Sequence, residues 1–268
     1  MIDEAHRGIA PTYTKVLDWL ERPDAPWALI GLTATPFRGW DEAETRRLVR
    51  RFGKRLLPDA REQAGLFREH QRKGYLARVE ADVLEIPEPF AFDASELDVI
   101  EGFHGAHFPE TALRRLAASA KRNVRIVERI LAMPDHFKVL VFACTVRHAQ
   151  ELAARLNLRG RRAAAIEGST RRSLRQQWIE EFLHGDLQVL VNFGVLTTGF
   201  DAPKVDAIVI ARPTFSPVLY HQMVGRGLRG PLNGGKATCL LVDVVDNLVR
   251  YGDRLATYER LIRPWVDA

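Results

Sequence analysis

Four short runs, "KVLVFAC" (138–144), "LQVLVNF" (187–193), "VDAIVIA" (205–211) and "ATCLLVDVV" (237–245), are apolar at nearly every position. A strand apolar on both faces has to be covered on both faces, a condition met by a parallel sheet lying between two layers of helix. The segments between these runs have helical spacing. "RHAQELAARLN" is apolar at Ala149, Leu152, Ala153 and Leu156, and "STRRSLRQQWIEEFLHG" sets Leu174, Trp178 and Phe182 on one face. Thr170 is placed to cap the start of that second helix, and Gly185 lies just past its end. Ser216 and Pro217 open a further helix through "VLYHQMVGRGLR". A helix over 111–132 precedes the first run, and "RAAAIEG" is a weaker strand. Strand and helix alternate throughout, so the expected fold class is α/β with a doubly wound parallel sheet.

Residues before 111 have a less regular rhythm. "TKVLDWLERP" is helical in spacing and stops at Pro23, and "WALIGLTATP" is a short buried strand ended by Pro36. Residues 41–76 are charged and helical, and "YLARVEADVLEI" alternates as a strand does. Pro87, Pro89, Gly102, Gly105 and Pro109 mark 87–110 as a linker. Two units are therefore expected, 1–110 and 111–268, with 251–265 as a closing helix. A chain of 268 residues, 46% hydrophobic, is long enough for either one large domain or two smaller ones. The net charge of +5 fits a nucleic-acid partner without requiring one. Cys144 and Cys239 lie far apart in apolar runs, which reads as buried thiols in a reducing, cytoplasmic compartment, not as a disulfide or a metal site. No apolar stretch is long enough to span a bilayer, and the acidic N-terminus is not a signal peptide.

Four stretches carry residue types suited to phosphate chemistry. "DEAH" puts Asp3 and Glu4 side by side at the end of a strand, where one carboxylate could hold Mg²⁺ and the other orient water. The same residues also suit an ordinary acidic helix start. "LTATPFR" ends a strand with the hydroxyls of Thr33 and Thr35, or is a plain turn. "LTTGFDAP" offers Thr197 and Thr198 as donors to phosphate, Gly199 for close approach and Asp201 as an acceptor; the other reading is a turn stopped by Pro203. "QMVGRGLRG" spaces Arg226 and Arg229 three apart, on one face of a helix, as paired guanidiniums for developing phosphate charge. A solvated basic helix is the alternative, but Gly225 and Gly227 in the same segment argue for close packing or a loosely wound turn. "HGAH" (104–107) suggests metal ligands only weakly. The arginines at 159, 161, 162, 171, 172 and 175 suit either a nucleic-acid backbone or a soluble surface.

"DEAH", "TAT", "TTGFDAP" and "QMVGRGLR", in that order, resemble motifs II, III, V and VI of the superfamily 2 helicases, in the forms of the XPB-like and restriction-enzyme motor branch. The resemblance implies two RecA-like domains with ATP and Mg²⁺ between them and single- or double-stranded DNA as partner, with RNA left open. Carried over by position, Asp3 would coordinate Mg²⁺ through water and Glu4 would be the catalytic base. His6 would couple the nucleotide site to Gln222, and Thr33 and Thr35 would link hydrolysis to movement. Arg226 and Arg229 would reach the γ-phosphate, while Gly199 and Asp201 would support the nucleotide. Thr197 and Thr198 would meet the nucleic-acid strand. "VFACT" resembles motif IV, with Thr145 as a phosphate contact, and "IEGST" would place Gly168, Ser169 and Thr170 beside the strand. One departure stands out: no G-x-x-x-x-G-K-[ST] occurs in the 268 residues, and "FGKR" and "GGKAT" lack its spacing. The expectation is a C-terminal portion of a motor, inactive alone, with another chain able to supply the phosphate loop. A non-catalytic RecA-like binding module is the competing reading.

Overall fold

The structure is a computed structural model that describes residues 1–5, 8–20, 29–33, 42–53, 68–102, 108–195 and 204–257. At its centre lie six strands: β1 (Arg78–Phe90), β2 (Val139–Phe142), β3 (Ala163–Ile166), β4 (Val189–Asn192), β5 (Ala207–Ile210) and β6 (Thr238–Leu248). They form one sheet in the order β1-β6-β5-β2-β4-β3, and every neighbouring pair is parallel. The α-helices that lie wholly within the described residues are α1 (Pro11–Leu20), α2 (Glu42–Arg51), α3 (Ala94–Gly102), α4 (Glu110–Ala117), α5 (Ala120–Leu131), α6 (Val146–Leu158), α7 (Arg172–Leu183) and α8 (Pro217–Val224).

The continuous apolar runs have a direct explanation in the two cores. Val139 and Val141 of β2 pack with Ile126 and Ile130 of α5 and Leu152 and Leu156 of α6. Their neighbours Leu140 and Phe142 pack on the other face, with Phe182 of α7 and Tyr220 and Met223 of α8. Successive side chains point to opposite faces, so a strand covered on both sides is apolar at nearly every position. All residues of β2, β4 and β5 are buried. At about 1.5–3 kcal/mol for each large apolar side chain, this burial is the dominant stabilising term. The result is the expected RecA-like, doubly wound parallel sheet.

Several local expectations are corrected. The single helix expected over 111–132 is two helices, α4 and α5. Ala118 closes the first, and Ser119 begins the second by accepting a hydrogen bond from the Arg122 N–H at 3.4 Å. Of the linker expected at 87–110, the described residues 87–102 and 108–110 are largely packed structure. β1 continues through Pro87 and Pro89 at the cost of a register shift between Ile86 and Pro89, which an edge strand tolerates. α3 follows, opened by reciprocal bonds between Asp93 and Glu96. Phe90, Phe92 and Phe108 then anchor the segment against Phe215 and Tyr251. β1 lies before residue 110, yet it pairs along its length with β6, so the sheet takes residues from both sides of that point. Thr170 does not cap α7, which starts two residues later; its Oγ1 accepts from the Glu167 N–H at 3.0 Å and closes the turn after β3. Residues 252–254 form a 3₁₀ turn instead of opening a closing helix, with Leu255 and Ala256 buried behind it; 258–265 lie outside the described residues.

Residues 2–5 and 30–32 run side by side as two parallel strand stubs. The Ile2 N–H donates to the Ile30 carbonyl, Leu32 N–H to Ile2 and Ala5 N–H to Leu32, at 2.8–2.9 Å. Gly31 allows Phe52 to lie against this pair: a Cβ there would stand 2.6 Å from both the Phe52 ring and Ala5. Only Leu17 of α1 is buried, while Trp19 is 77% and Ile30 55% exposed. Among the described residues here, several apolar side chains thus face outward.

Candidate functional site

Phe142, Asn192, Ile166 and Ile210 are aligned by pairing at the carboxyl ends of β2, β4, β3 and β5. The loops after these strands therefore leave one edge, the edge at which open α/β sheets bind ligands. Thr145 stands there as the residue that caps α6. Its Oγ1 accepts the His148 N–H at 3.1 Å, so the cap uses the oxygen as an acceptor and does not use the hydroxyl proton. Gly168 and Ser169 lie in the turn after β3. The Glu167 carboxylate accepts both the backbone N–H and the hydroxyl of Ser169, and these bonds hold its pKa below the usual carboxylate range. Arg175 Nη2 donates to the carbonyls of Glu167, Gly168 and Thr170 at 3.2–3.3 Å. The Ser169 hydroxyl is thus committed within the turn, and exposed Gly168 is its open face. Arg175 and Arg161 (2% exposed, on Asp135) serve the fold; Arg159, Arg162, Arg171 and Arg172 are the exposed members of that set, with Arg162 paired to Asp186 at the surface.

Beneath Thr145 lies a polar network that sequence reasoning missed. The buried guanidinium of Arg122 holds the Asp246 carboxylate with Nε at 2.6 Å and Nη2 at 3.0 Å, and Nη2 also donates to the Ala211 carbonyl at 2.8 Å. The Cys144 thiol donates to the same carbonyl at 3.0 Å. The Cys144 N–H donates to His148 Nδ1 at 3.1 Å, and His148 Nε2 meets Asn123 Oδ1 at 3.0 Å. Burial pushes the His148 pKa down to about 3 and the Cys144 thiol up to about 11. Cys239, the other buried thiol, is raised by burial to about 12. The available sequence signal was a histidine and an asparagine on otherwise apolar helix faces. Arg212 stacks over Phe193 at 5.3 Å on the same edge and was also missed.

The motif VI expectation is corrected in its geometry. Ser216 caps α8 through the Leu219 N–H and Pro217 is its first residue, as read, but the helix stops at Val224. Gln222 is helical and half-buried, whereas Arg226 lies in the following turn and Arg229 forms an antiparallel bridge with Leu76. The two arginines therefore do not share a helical face. Glycine is the reason: a Cβ at Gly227 would stand 2.7 Å from Ile208 Cδ1 and 2.8 Å from Cys239 Sγ, so the chain passes directly over the sheet. Tyr220 donates to Asp243, paired with Ile210 at the strand ends, while Gly227 reaches the strand starts. Arg226 and Arg229 thus sit at the edge opposite Thr145 and Gly168.

Asp3 is exposed, and its Oδ1 accepts the Glu4 N–H at 2.8 Å. Glu4 has φ of 51°, a left-handed conformation that costs a non-glycine residue roughly 1–2 kcal/mol and is concentrated at functional positions. The bond from Ala5 to Leu32 brings this pair beside Thr33. His6, Thr35, Thr197, Thr198, Gly199 and Asp201 lie outside the described residues, as do His104 and His107.

A parallel sheet in this order, with helices on both faces, is the fold of a RecA-like domain. Residues 122–230 match the family described as helicase conserved C-terminal domain. The chain is 31% identical over 253 residues to irc3 of Schizosaccharomyces pombe, named as a mitochondrial ATP-dependent helicase, covering 93% of this chain and 38% of that protein. It is 27% identical over 251 residues to IRC3 of Saccharomyces cerevisiae, named as an ATP-dependent helicase, covering 91% and 33%. A solved fragment assigned as the HsdR subunit of a type I restriction enzyme from Vibrio vulnificus is similar with a TM-score of 0.59 and 25% identity, over 87% of this chain and 42% of that one. Residues 122–230 thus carry a helicase C-terminal domain, and about nine tenths of the chain is similar to helicase relatives of this kind and to the restriction-enzyme fragment. The chain spans between a third and two fifths of the length of these curated relatives.

Proposed function

We propose that this chain is the C-terminal portion of an ATP-driven motor that moves on DNA. The observation that carries the reading is the alignment of strand ends that sets Thr145 and Gly168 on one edge of the sheet. A hydroxyl proton and an exposed glycine backbone there suit a run of phosphates, a mode that reads no base sequence. DNA is preferred over RNA because of the likeness to a restriction-enzyme subunit. In this reading Thr197 and Thr198 join the same strand, and Gly199 and Asp201 support the nucleotide.

The other half of the reading concerns ATP. Asp3 and Glu4 fit a magnesium nucleotide in donor chemistry: Asp3 is an exposed oxygen donor, held by its neighbour's N–H. Asp3 would hold Mg²⁺ through water, and the ion would offset phosphate charge when bound. Glu4 would orient the attacking water, His6 and Gln222 would couple the lobes, and Thr33 and Thr35 would pass on the movement. Arg226 and Arg229 would meet developing charge from the second lobe. No G-x-x-x-x-G-K-[ST] occurs in the 268 residues, so in the motor reading another chain could supply the phosphate loop; the second reading is a non-catalytic RecA-like module that binds nucleic acid or a partner chain and never hydrolyses ATP. The expected compartment is the cytoplasm, in keeping with two reduced, buried thiols.

Two measurements test this. Binding of single-stranded DNA should weaken with salt, log K falling by about 0.7 per phosphate contact for each unit of log salt. No binding at low salt would refute the nucleic-acid half. Phosphate release with DNA present should be absent for this chain alone; turnover abolished by Glu4→Gln would show that it needs no partner.

A further inference from the structure

The hydrogen bonds beneath Thr145 have a direction that only one arrangement of protons satisfies. The Cys144 N–H can only donate, so His148 Nδ1 must accept and carries no proton. The neutral ring then bears its proton on Nε2 and donates it to Asn123 Oδ1. Asn123 is oriented in turn, because its Nδ2 donates to the Ala117 carbonyl at 2.8 Å and to Glu151 at 3.3 Å. The His148 backbone N–H donates to Thr145 Oγ1. Side chain and main chain of one histidine thus hold both residues that precede α6, much as a capping box does but shifted back by one residue. Asn123, His148 and Cys144 are all buried, and the relay ends at Thr145, which is partly exposed. Oγ1 is already an acceptor, so its proton has to find an acceptor elsewhere. Among the described residues it has none.

We propose that His148 and Asn123 are positioning residues that orient the Thr145 hydroxyl as a donor to a nucleic-acid phosphate. This rests on the reading of Thr145 as a phosphate contact. Neither side chain touches the strand; they lock the 143–148 turn to the junction of α4 and α5, so that the rotor of Thr145 has one outward direction. A hydrogen bond to a charged oxygen is sensitive to angle, and a loosened turn would lose it without any other contact changing.

The test is a mutant cycle read by fluorescence anisotropy of a labelled oligothymidylate at low salt, using the full 268-residue chain. Thr145→Val should weaken binding about tenfold, the worth of one hydrogen bond to a charged group. His148→Leu should weaken it to a similar degree, and the double variant should be no weaker than either single one. Asn123→Ser serves as a second route into the relay should His148→Leu fail to fold, as checked by circular dichroism. Thr145→Val without effect would remove both the phosphate contact and the proposal. A full effect of Thr145→Val multiplied by a full effect of His148→Leu or Asn123→Ser would remove the proposal alone, since a merely structural histidine would act independently of the hydroxyl. Nitrogen-15 NMR of the wild-type imidazole gives a separate check: an Nε2–H tautomer that does not titrate between neutral pH and about 5 is required, and an Nδ1–H tautomer overturns the relay.

Discussion

Asp246→Ala is the most informative single change in this fold. Asp246 lies near the end of β6 and is 3% exposed; its two oxygens receive Arg122 Nε at 2.6 Å and Nη2 at 3.0 Å. Arg122 is itself fully buried and is the largest fully buried side chain among the described residues. Removing the carboxylate leaves a guanidinium, which cannot give up its proton, in the interior with the Ala211 carbonyl as its remaining anchor. An uncompensated buried charge of this kind costs about 3–5 kcal/mol. With a melting shift of about 2–4 °C per kcal/mol for a chain of this size, the melting temperature should fall by roughly 6–20 °C. The double change Arg122→Met with Asp246→Leu removes both charges and should recover most of the loss, because desolvating a buried pair offsets much of its attraction. The assay is urea unfolding followed by far-ultraviolet circular dichroism, with midpoint and slope compared across the variants. A loss below about 1 kcal/mol for Asp246→Ala, or a double variant no better than the single one, would refute the reasoning.

Three further outcomes follow from the same interior. The unfolded imidazole of His148 binds its proton near 6.5 and the folded one only near 3, so the unfolded chain takes up the extra proton as pH falls below about 6.5. Stability should therefore drop by roughly 2 kcal/mol between pH 6.5 and 5 through this residue, and unfolding titrations of His148→Gln should lack that part of the slope. Gly227→Ala places a methyl group against Ile208 and Cys239 and should cost about 1–3 kcal/mol in urea unfolding, with a wild-type midpoint speaking against the close approach. Burial raises the Cys144 and Cys239 thiols to about 11 and about 12, so iodoacetamide at pH 8 should label them only after denaturant is added, as read by mass spectrometry.

What the sequence determined by itself was whatever depends on local periodicity. Apolar runs such as "KVLVFAC" require burial on both faces, and the helical stripes between them supply the cover; from these the doubly wound sheet could be read before any coordinates. The Ser216–Pro217 start of α8 was legible for the same reason, since a cap is a contact between residues three apart. The motif residues that fall within the described structure could be listed in order along the chain. Their arrangement in space could not.

Tertiary structure decided the rest. Arg226 and Arg229 look like one helical face until Gly227 is seen to press on Ile208 and Cys239, which ends the helix and sends the two arginines to the edge opposite Thr145. The proline-rich stretch from 87 becomes an edge strand because β6 is there to pair with it. Arg122 and Asp246 are 124 residues apart, and His148 and Asn123 are 25 apart. No periodicity links such partners. A buried charge or ring acquires its role only when the chain returns and the low-dielectric interior makes an unmatched donor or acceptor costly.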